Sequence, residues 1–302
     1  MANEALEQVI EIVRSAPVDF TAPPRVARDA FEAIFAEAPR PDSIRYEAAE
    51  VGGVRGLWAR TDAPEGDRAI IYLHGGGFSV GSSKAYAALA GSLAEAAGID
   101  TFIVDYRLAP EHPYPAAPDD ALKVYRSMLW AGMKSIAVVG DSAGGALVMS
   151  LLLQARYHGL AMPACAVLWS PWLNLACDTE SYDRNAAVDP TLDKAGLLAV
   201  ARHYAGEKRP ADEALRPLAA SLDGLPPLLV QVGSIEILLD DSVALAGRAA
   251  AANVMLRLEV YPGLPHVFQN FAGLLPEAAQ ALQETATFIG NAQPDAVAQD
   301  SD

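Results

Sequence analysis

Residues Ser135-Ile-Ala-Val-Val form a short apolar run that passes through Gly140-Asp-Ser142-Ala-Gly144-Gly145 into a second apolar run, Ala146-Leu-Val-Met-Ser-Leu. A buried strand that bends directly into a buried helix accounts for that order of residues. Gly140 and Gly144 stand two positions either side of Ser142, where a side chain would strike the neighbouring strand or helix at so tight a bend. A serine hydroxyl is a weak nucleophile at neutral pH. It must be held clear of the surface, beside a base and facing hydrogen-bond donors. The bend does the first of these, so Ser142 is a candidate nucleophile. Alone, the pattern also fits a glycine-rich strand–helix turn with a capping serine.

The rest of the chain repeats the same grammar. Apolar runs at 69–73, 101–104, 136–139, 164–169, 228–232 and 256–260 read as buried strands. Helical patterns near 84–97, 118–130, 143–157, 242–252 and 276–289 separate them. The alternation implies an α/β fold with a mostly parallel sheet wrapped by helices. Two amphipathic helices, around Leu6–Val13 and Ala27–Phe35, precede a hairpin of 44–47 and 54–59 joined at Gly52-Gly53. Between the strands ending at Trp169 and starting at Leu228 lies a long excursion, 173–225, with a helical pattern near 194–204. Insertions of that length commonly serve as a lid or cap, and with the N-terminal helices such a cap would carry Phe31, Phe35, Tyr182, Leu197 and Leu198 as apolar surface for a pocket of small to medium size. At 302 residues the chain suffices for one large domain or two smaller ones. The polar tail, 291–302, is expected to fray.

Charge and cysteine content exclude several classes of partner. A formal net charge of −16 argues against nucleic acid or an anionic membrane, since phosphate binding needs basic stripes. A small neutral or cationic ligand fits better. The acidic start lacks a basic segment followed by an apolar one, and no uncharged apolar run approaches bilayer thickness, so a cytoplasmic location is expected. Cys165 and Cys177 lack metal-ligand spacing and read as buried or semi-buried free thiols. No metal or organic cofactor is called for.

Further chemistry-bearing segments lie where the strands end. His74-Gly75-Gly76-Gly77-Phe78 follows the strand 69–73, and three glycines leave backbone N–H groups unshielded, as an oxyanion site requires. His74, as leader of that run, is expected to brace the loop rather than act as base. Of the histidines beyond Ser142, His203 falls in the insertion's helical pattern, whereas His266 lies on a loop just past the last strand. His266 is therefore the candidate base, in the chain order nucleophile, acid, histidine. The strand 228–232 leads into Gly233-Ser-Ile-Glu236-Ile-Leu-Leu-Asp240-Asp241. Glu236 comes first after the strand end and is the favoured acid, with Asp240 the alternative. Asp240 and Asp241 would also suit a helix N-terminus. Asp141 is too close to Ser142 to reach the far side of an imidazole, and Asp105 reads as a carboxylate that organises its own loop.

Taken together, these segments resemble a known family. The chain is similar to the bacterial hormone-sensitive-lipase family of α/β-hydrolase esterases through His74-Gly-Gly-Gly-Phe78, Asp105-Tyr-Arg-Leu-Ala-Pro-Glu111, Gly140-Asp-Ser-Ala-Gly-Gly145, Ser170-Pro-Trp172 and the Pro265-His266 loop. The resemblance implies an α/β-hydrolase fold with an eight-stranded, mostly parallel sheet, and a helical cap built from 1–40 and the insertion at about 173–225 over a catalytic domain of 41–302. It also implies oxyanion donors at Gly76, Gly77 and Ala143, and homodimers through a sheet edge. The family usually has aspartate where Glu236 stands, although some members carry glutamate.

The function these expectations converge on is hydrolysis of short- to medium-chain acyl esters through an acyl-enzyme, with a small neutral ester as the favoured substrate. A lactone hydrolase would need the same triad and differ only in pocket shape. A non-catalytic ligand receptor is the reading from another class, because plant gibberellin receptors resemble this family but have lost the catalytic histidine. Here His266 and the glycine loop are both present.

Overall fold

The computed structural model describes residues 2–36, 38–62, 66–209, 212 and 215–292. The expected frayed tail lies almost wholly outside them. One sheet of eight strands runs in the order β1-β2-β4-β3-β5-β6-β7-β8. These are β1 (Arg45–Val51), β2 (Val54–Arg60), β3 (Arg68–Leu73), β4 (Thr101–Val104), β5 (Ser135–Asp141), β6 (Cys165–Trp169), β7 (Leu228–Gly233) and β8 (Leu256–Tyr261). The β1–β2 hairpin is antiparallel, with Val51 opposite Val54, and β2 runs antiparallel to β4. All the other pairings are parallel.

Parallel strands covered on both faces are near-continuously apolar, and β5, β6 and β7 are buried throughout. Alternate residues feed two cores. Ile71, Leu73, Val138, Leu168 and Val230 face one side, where they meet α4 (Ala116–Trp130), α5 (Ala143–Tyr157) and α8 (Leu239–Ala251). Ile70, Tyr72, Val139, Val167 and Leu229 face the other, against α3 (Ala87–Ala97) and α9 (Pro276–Asn291).

The remaining helices are α1 (Ala2–Ser15), α2 (Pro24–Phe35), α6 (Ser181–Arg184) and α7 (Lys194–Ala205). In α1, Val9 packs with Leu264, Phe268 and Leu275 just beyond β8. From α7, Tyr204 stacks on Phe78 at 3.8 Å between ring centroids, directly after the three-glycine run. Both helix groups therefore sit over the C-terminal ends of the strands, the edge at which open α/β sheets present their sites. Several helices begin earlier than their apolar pattern suggests, α8 at Leu239 rather than near 242, and α6 has no counterpart in the sequence reading. Among the described residues, no helix is long and apolar enough to cross a membrane.

Candidate active site

Ser142 sits at the bend between β5 and α5 with φ +53° and ψ −120°. A non-glycine residue in that region costs about 1–3 kcal/mol and persists only where neighbours hold it. Its N–H donates to the Trp169 carbonyl (2.9 Å), and its own carbonyl accepts from Gly145 N (3.0 Å) and Trp172 N (2.9 Å). The flanking glycines are required by close approach. A Cβ on Gly144 would collide with the Leu73 carbonyl, and one on Gly140 would lie 2.6 Å from the Gly144 carbonyl.

The two members sought after Ser142 meet directly. His266 Nδ1 is 2.8 Å from Glu236 Oε2. Glu236 is fully buried, and its other oxygen, Oε1, accepts from Ser170 Oγ (2.8 Å) and Gly233 N (2.7 Å). A carboxylate only accepts, so Nδ1 carries the proton and Nε2 keeps its lone pair. Burial pulls the His266 pKa down, but the Glu236 hydrogen bond, its charge and the charges of Asp189 and Asp141 outweigh it, and the net shift is upward. Val267, with φ +48°, turns the chain immediately after the histidine and donates its N–H to Ser170 Oγ (3.1 Å). Ser170 thus links the acid loop to the histidine loop.

Asp240 is elsewhere. It accepts from Ser181 N (2.8 Å) and pairs with Arg184 (3.0 Å), fastening α6 to the start of α8. Asp241 is buried, accepts from Leu173 N, Asn174 N and Tyr182 Oη, and is pushed up to about 7 by burial.

The three-glycine loop is held from below by Asp141. That carboxylate accepts from Gly75 N (3.0 Å), Tyr72 Oη (2.8 Å) and Tyr86 Oη (3.1 Å), and burial lifts it to about 6. His74 stacks on Tyr106 at 4.2 Å, and its Nδ1 donates to the Gly75 carbonyl (2.8 Å). Burial lowers its pKa to about 4, so it is a neutral brace. Asp105 accepts from both the N–H and the hydroxyl of Ser83, so its carboxylate ties its loop to the segment after the three-glycine run rather than bracing 105–111 from within. His203 is part of α7 and does not join the cluster. Both cysteines are buried and unpaired, and burial pushes each thiol up to about 12.

Gly76, Gly77, Ser142 and His266 line one cavity of about 580 Å³, whose walls include Phe31 and Phe35 from α2 and Leu197 from α7. Tyr182 and Leu198, expected among the cap's pocket residues, do not line it. Tyr182 is buried with its hydroxyl on Asp241, and Leu198 packs against the core. The sequence reading also missed two insertion residues. Asn185 Nδ2 donates to the Ser234 and Glu236 carbonyls, and Asp189 Oδ2 accepts from Ile237 N, so the insertion holds the acid loop from outside. Neither residue has a local signature.

Residues 70–270 match the protein family described as alpha/beta hydrolase fold. An esterase of the bacterial hormone-sensitive-lipase family superposes with a TM-score of 0.92 at 40% identity, over 96% of this chain and 98% of that one. The chain belongs to that family. Among curated relatives it is 36% identical to an esterase of Acinetobacter venetianus, over 93% of this chain and 94% of the relative. It is 35% identical to an acetyl-hydrolase of Streptomyces hygroscopicus, over 97% and 98% of the two chains. The protein is accordingly an esterase, a hydrolase of carboxylic esters, and the receptor reading falls away.

Proposed function

We propose that this esterase hydrolyses short- to medium-chain acyl esters by two-step acyl transfer with Ser142 as nucleophile. The observation that carries the proposal is the Glu236–His266 pair, which fixes the imidazole tautomer in the same cavity that holds Ser142. Ser142 Oγ attacks the ester carbonyl carbon while His266 Nε2 takes its proton. The tetrahedral intermediate collapses, and the imidazolium gives the proton to the departing alkoxide, releasing the alcohol. Water then attacks the acyl-enzyme by the same proton path and frees the acid. Glu236 stays ionised throughout and stabilises the imidazolium between the two transfers.

The oxyanion is assigned to the N–H groups of Gly76, Gly77 and Ala143, each such donor being worth roughly 3 kcal/mol in hydrolases of this chemistry. Asp141, through Gly75 N, keeps the first two in place. The position of Ser142 at the N-terminus of α5 adds the partial positive charge of the helix end. Residues 1–40 and 173–225 act as the cap over the 41–302 catalytic domain and exclude water from the developing charge. A cavity of about 580 Å³ falls in the range that encloses a small ligand, and its apolar walls suit an acyl chain.

Replacing Ser142 by alanine tests the assignment. The variant should keep its folded circular-dichroism spectrum and Tm while hydrolysis of ethyl butyrate falls at least about 10³-fold. A fluorophosphonate should label Ser142 alone in the native enzyme. Undiminished turnover, or a label on another residue, would refute the mechanism.

A further inference from the structure

One wall of the cavity is aromatic and rigid. Phe31 and Phe35 on α2 have ring centroids 4.9 Å apart. Each stacks on Tyr86, at 6.0 and 5.9 Å with interplanar angles of 21° and 25°. All three line the cavity that opens on Ser142. Tyr86 is not free to swing away. Its hydroxyl donates to Asp141 Oδ2 (3.1 Å), His74 stacks against it at 5.3 Å, and Tyr72 leans on it at 5.9 Å.

The shelf begins beside the nucleophile. The point a Gly75 Cβ would occupy is 2.9 Å from Tyr86 Oη and 3.1 Å from Ser142 Cβ. From there the rings lead outward to α2. That helix is fixed in turn by Arg28, on the same face as Phe31 and Phe35. Its Nε donates to the Ser79 carbonyl (2.8 Å), its Nη2 to the Ala109 carbonyl (2.9 Å), and its guanidinium forks onto both oxygens of Glu111. The aromatic wall is thus tied to the loop that carries Gly76 and Gly77.

Such a wall distinguishes rings of equal size. Phenyl and cyclohexyl groups bury similar apolar area, but only phenyl gains the offset or edge-on contact that aromatic faces favour. Among the described residues lining the cavity there is no lysine or arginine, and the one carboxylate is Asp141. An anionic group would enter unpaired, at a desolvation cost nothing there offsets. We propose that the preferred substrates of this esterase are neutral esters bearing a phenyl ring on a short flexible arm, the ring resting on Phe31, Phe35 and Tyr86. This rests on the Ser142 mechanism proposed above.

The test compares kcat/KM for ethyl phenylbutyrate with its cyclohexyl counterpart, and for phenylethyl acetate with cyclohexylethyl acetate. The phenyl ester should be favoured about two- to tenfold in at least one pair, which also tells whether the ring is carried on the acyl or the alcohol side. Phe31→Leu and Phe35→Leu should each bring that ratio toward unity. Equal or better use of both cyclohexyl esters, or a ratio that neither variant moves, would overturn the proposal. Ethyl acetate separates the two failures. Ser142-dependent hydrolysis of ethyl acetate without a phenyl preference refutes the shelf alone, whereas ethyl acetate hydrolysis that survives Ser142→Ala refutes the mechanism beneath it.

Discussion

Replacing Glu236 by glutamine is nearly isosteric, and the surroundings decide which way the new amide must point. At the Oε1 position two donors converge, Gly233 N–H at 2.7 Å and Ser170 O–H at 2.8 Å. The backbone N–H cannot reverse its role, so the amide oxygen stays there and the NH₂ group faces His266 Nδ1. Nδ1 must then accept, which moves the imidazole proton to Nε2, the nitrogen that takes the proton of Ser142 in the proposed mechanism. The base is held in the wrong tautomer with its position intact. Tautomer inversion of this kind costs serine hydrolases about 10⁴-fold in kcat, roughly 5 kcal/mol of transition-state stabilisation.

The assay is the pH dependence of kcat/KM for ethyl butyrate in Glu236→Gln and Asp240→Asn, beside the native enzyme. In the native enzyme the acid limb, where His266 becomes protonated, should lie above the ordinary imidazole value of 6.5 because Glu236 favours the cation. Glu236→Gln removes the hydrogen bond and the charge that oppose burial. Its limb should move to lower pH as its plateau collapses. A lesion that only loosened packing would lower the plateau and leave the limb in place. Asp240→Asn keeps an oxygen for Ser181 N and loses only an ion pair to half-exposed Arg184, worth at most about 1 kcal/mol of stability. Its pH profile should match the native one. Collapse in Asp240→Asn with near-native rates in Glu236→Gln would refute the assignment of the acid.

Two further outcomes follow from groups outside the proposed triad. Arg28→Met removes the hydrogen bonds that pin α2 to Ser79, Ala109 and Glu111, a pair strong enough to hold the Glu111 carboxyl down at about 2. Discounted for exposure, the loss is about 1–2 kcal/mol, so limited proteolysis between α1 and α2 should speed up roughly tenfold, and an unchanged cleavage rate would show that α2 is held by packing alone. The second outcome concerns stability against pH. Asp241 binds its proton more tightly folded than unfolded, so its contribution to stability is complete below its ordinary value of 3.8 and is lost as pH rises through about 7. Asp241→Asn, neutral at every pH, should show a smaller fall in Tm between pH 5 and pH 8 than the native chain, and an identical slope would refute the titration.

What could be read from the sequence is what chemistry forces into contiguous residues. The bend around Ser142 needs its glycines two positions away, and the glycine run must follow directly on β3, so both motifs are visible in the chain. The strand pattern was equally plain, because strands covered on both faces are mostly apolar, and a buried polar residue such as Gln231 in β7 is held by hydrogen bonds to the Ala281 carbonyl and Gln269. Glu236 and Asp240 are separated by something the sequence does not display. Both leave β7 within a few residues of each other. They differ in whether the side chain turns toward Gly233 N and Ser170, the latter from the end of β6, or toward Ser181 in the insertion. Tyr182 and Leu198 were misplaced for a related reason, since apolar character says that a residue is buried and not which cavity it borders.

Contacts of the 173–225 insertion and of α2 reach the loops around the cavity as well as its walls. Asn185 and Asp189 hold the backbone of the acid loop, Val200 lies against the position of a Gly77 side chain, and Tyr204 stacks on Phe78. From the N-terminal side, Arg28 bonds the Ser79 carbonyl, while Ser79 N–H closes the turn onto the Gly76 carbonyl. The loop assigned to the oxyanion is therefore held by α2 and by the insertion, and the loop carrying Glu236 by the insertion. Many of these contacts are directional hydrogen bonds to backbone atoms, which fix position rather than merely cover apolar surface. Exchanging these segments for others of equal apolarity would keep the cavity walled yet release Ser79, Ser234 and Ile237. Catalytic rate and substrate choice would then change together, because the residues that shape the pocket share their anchors with the loops that carry the chemistry.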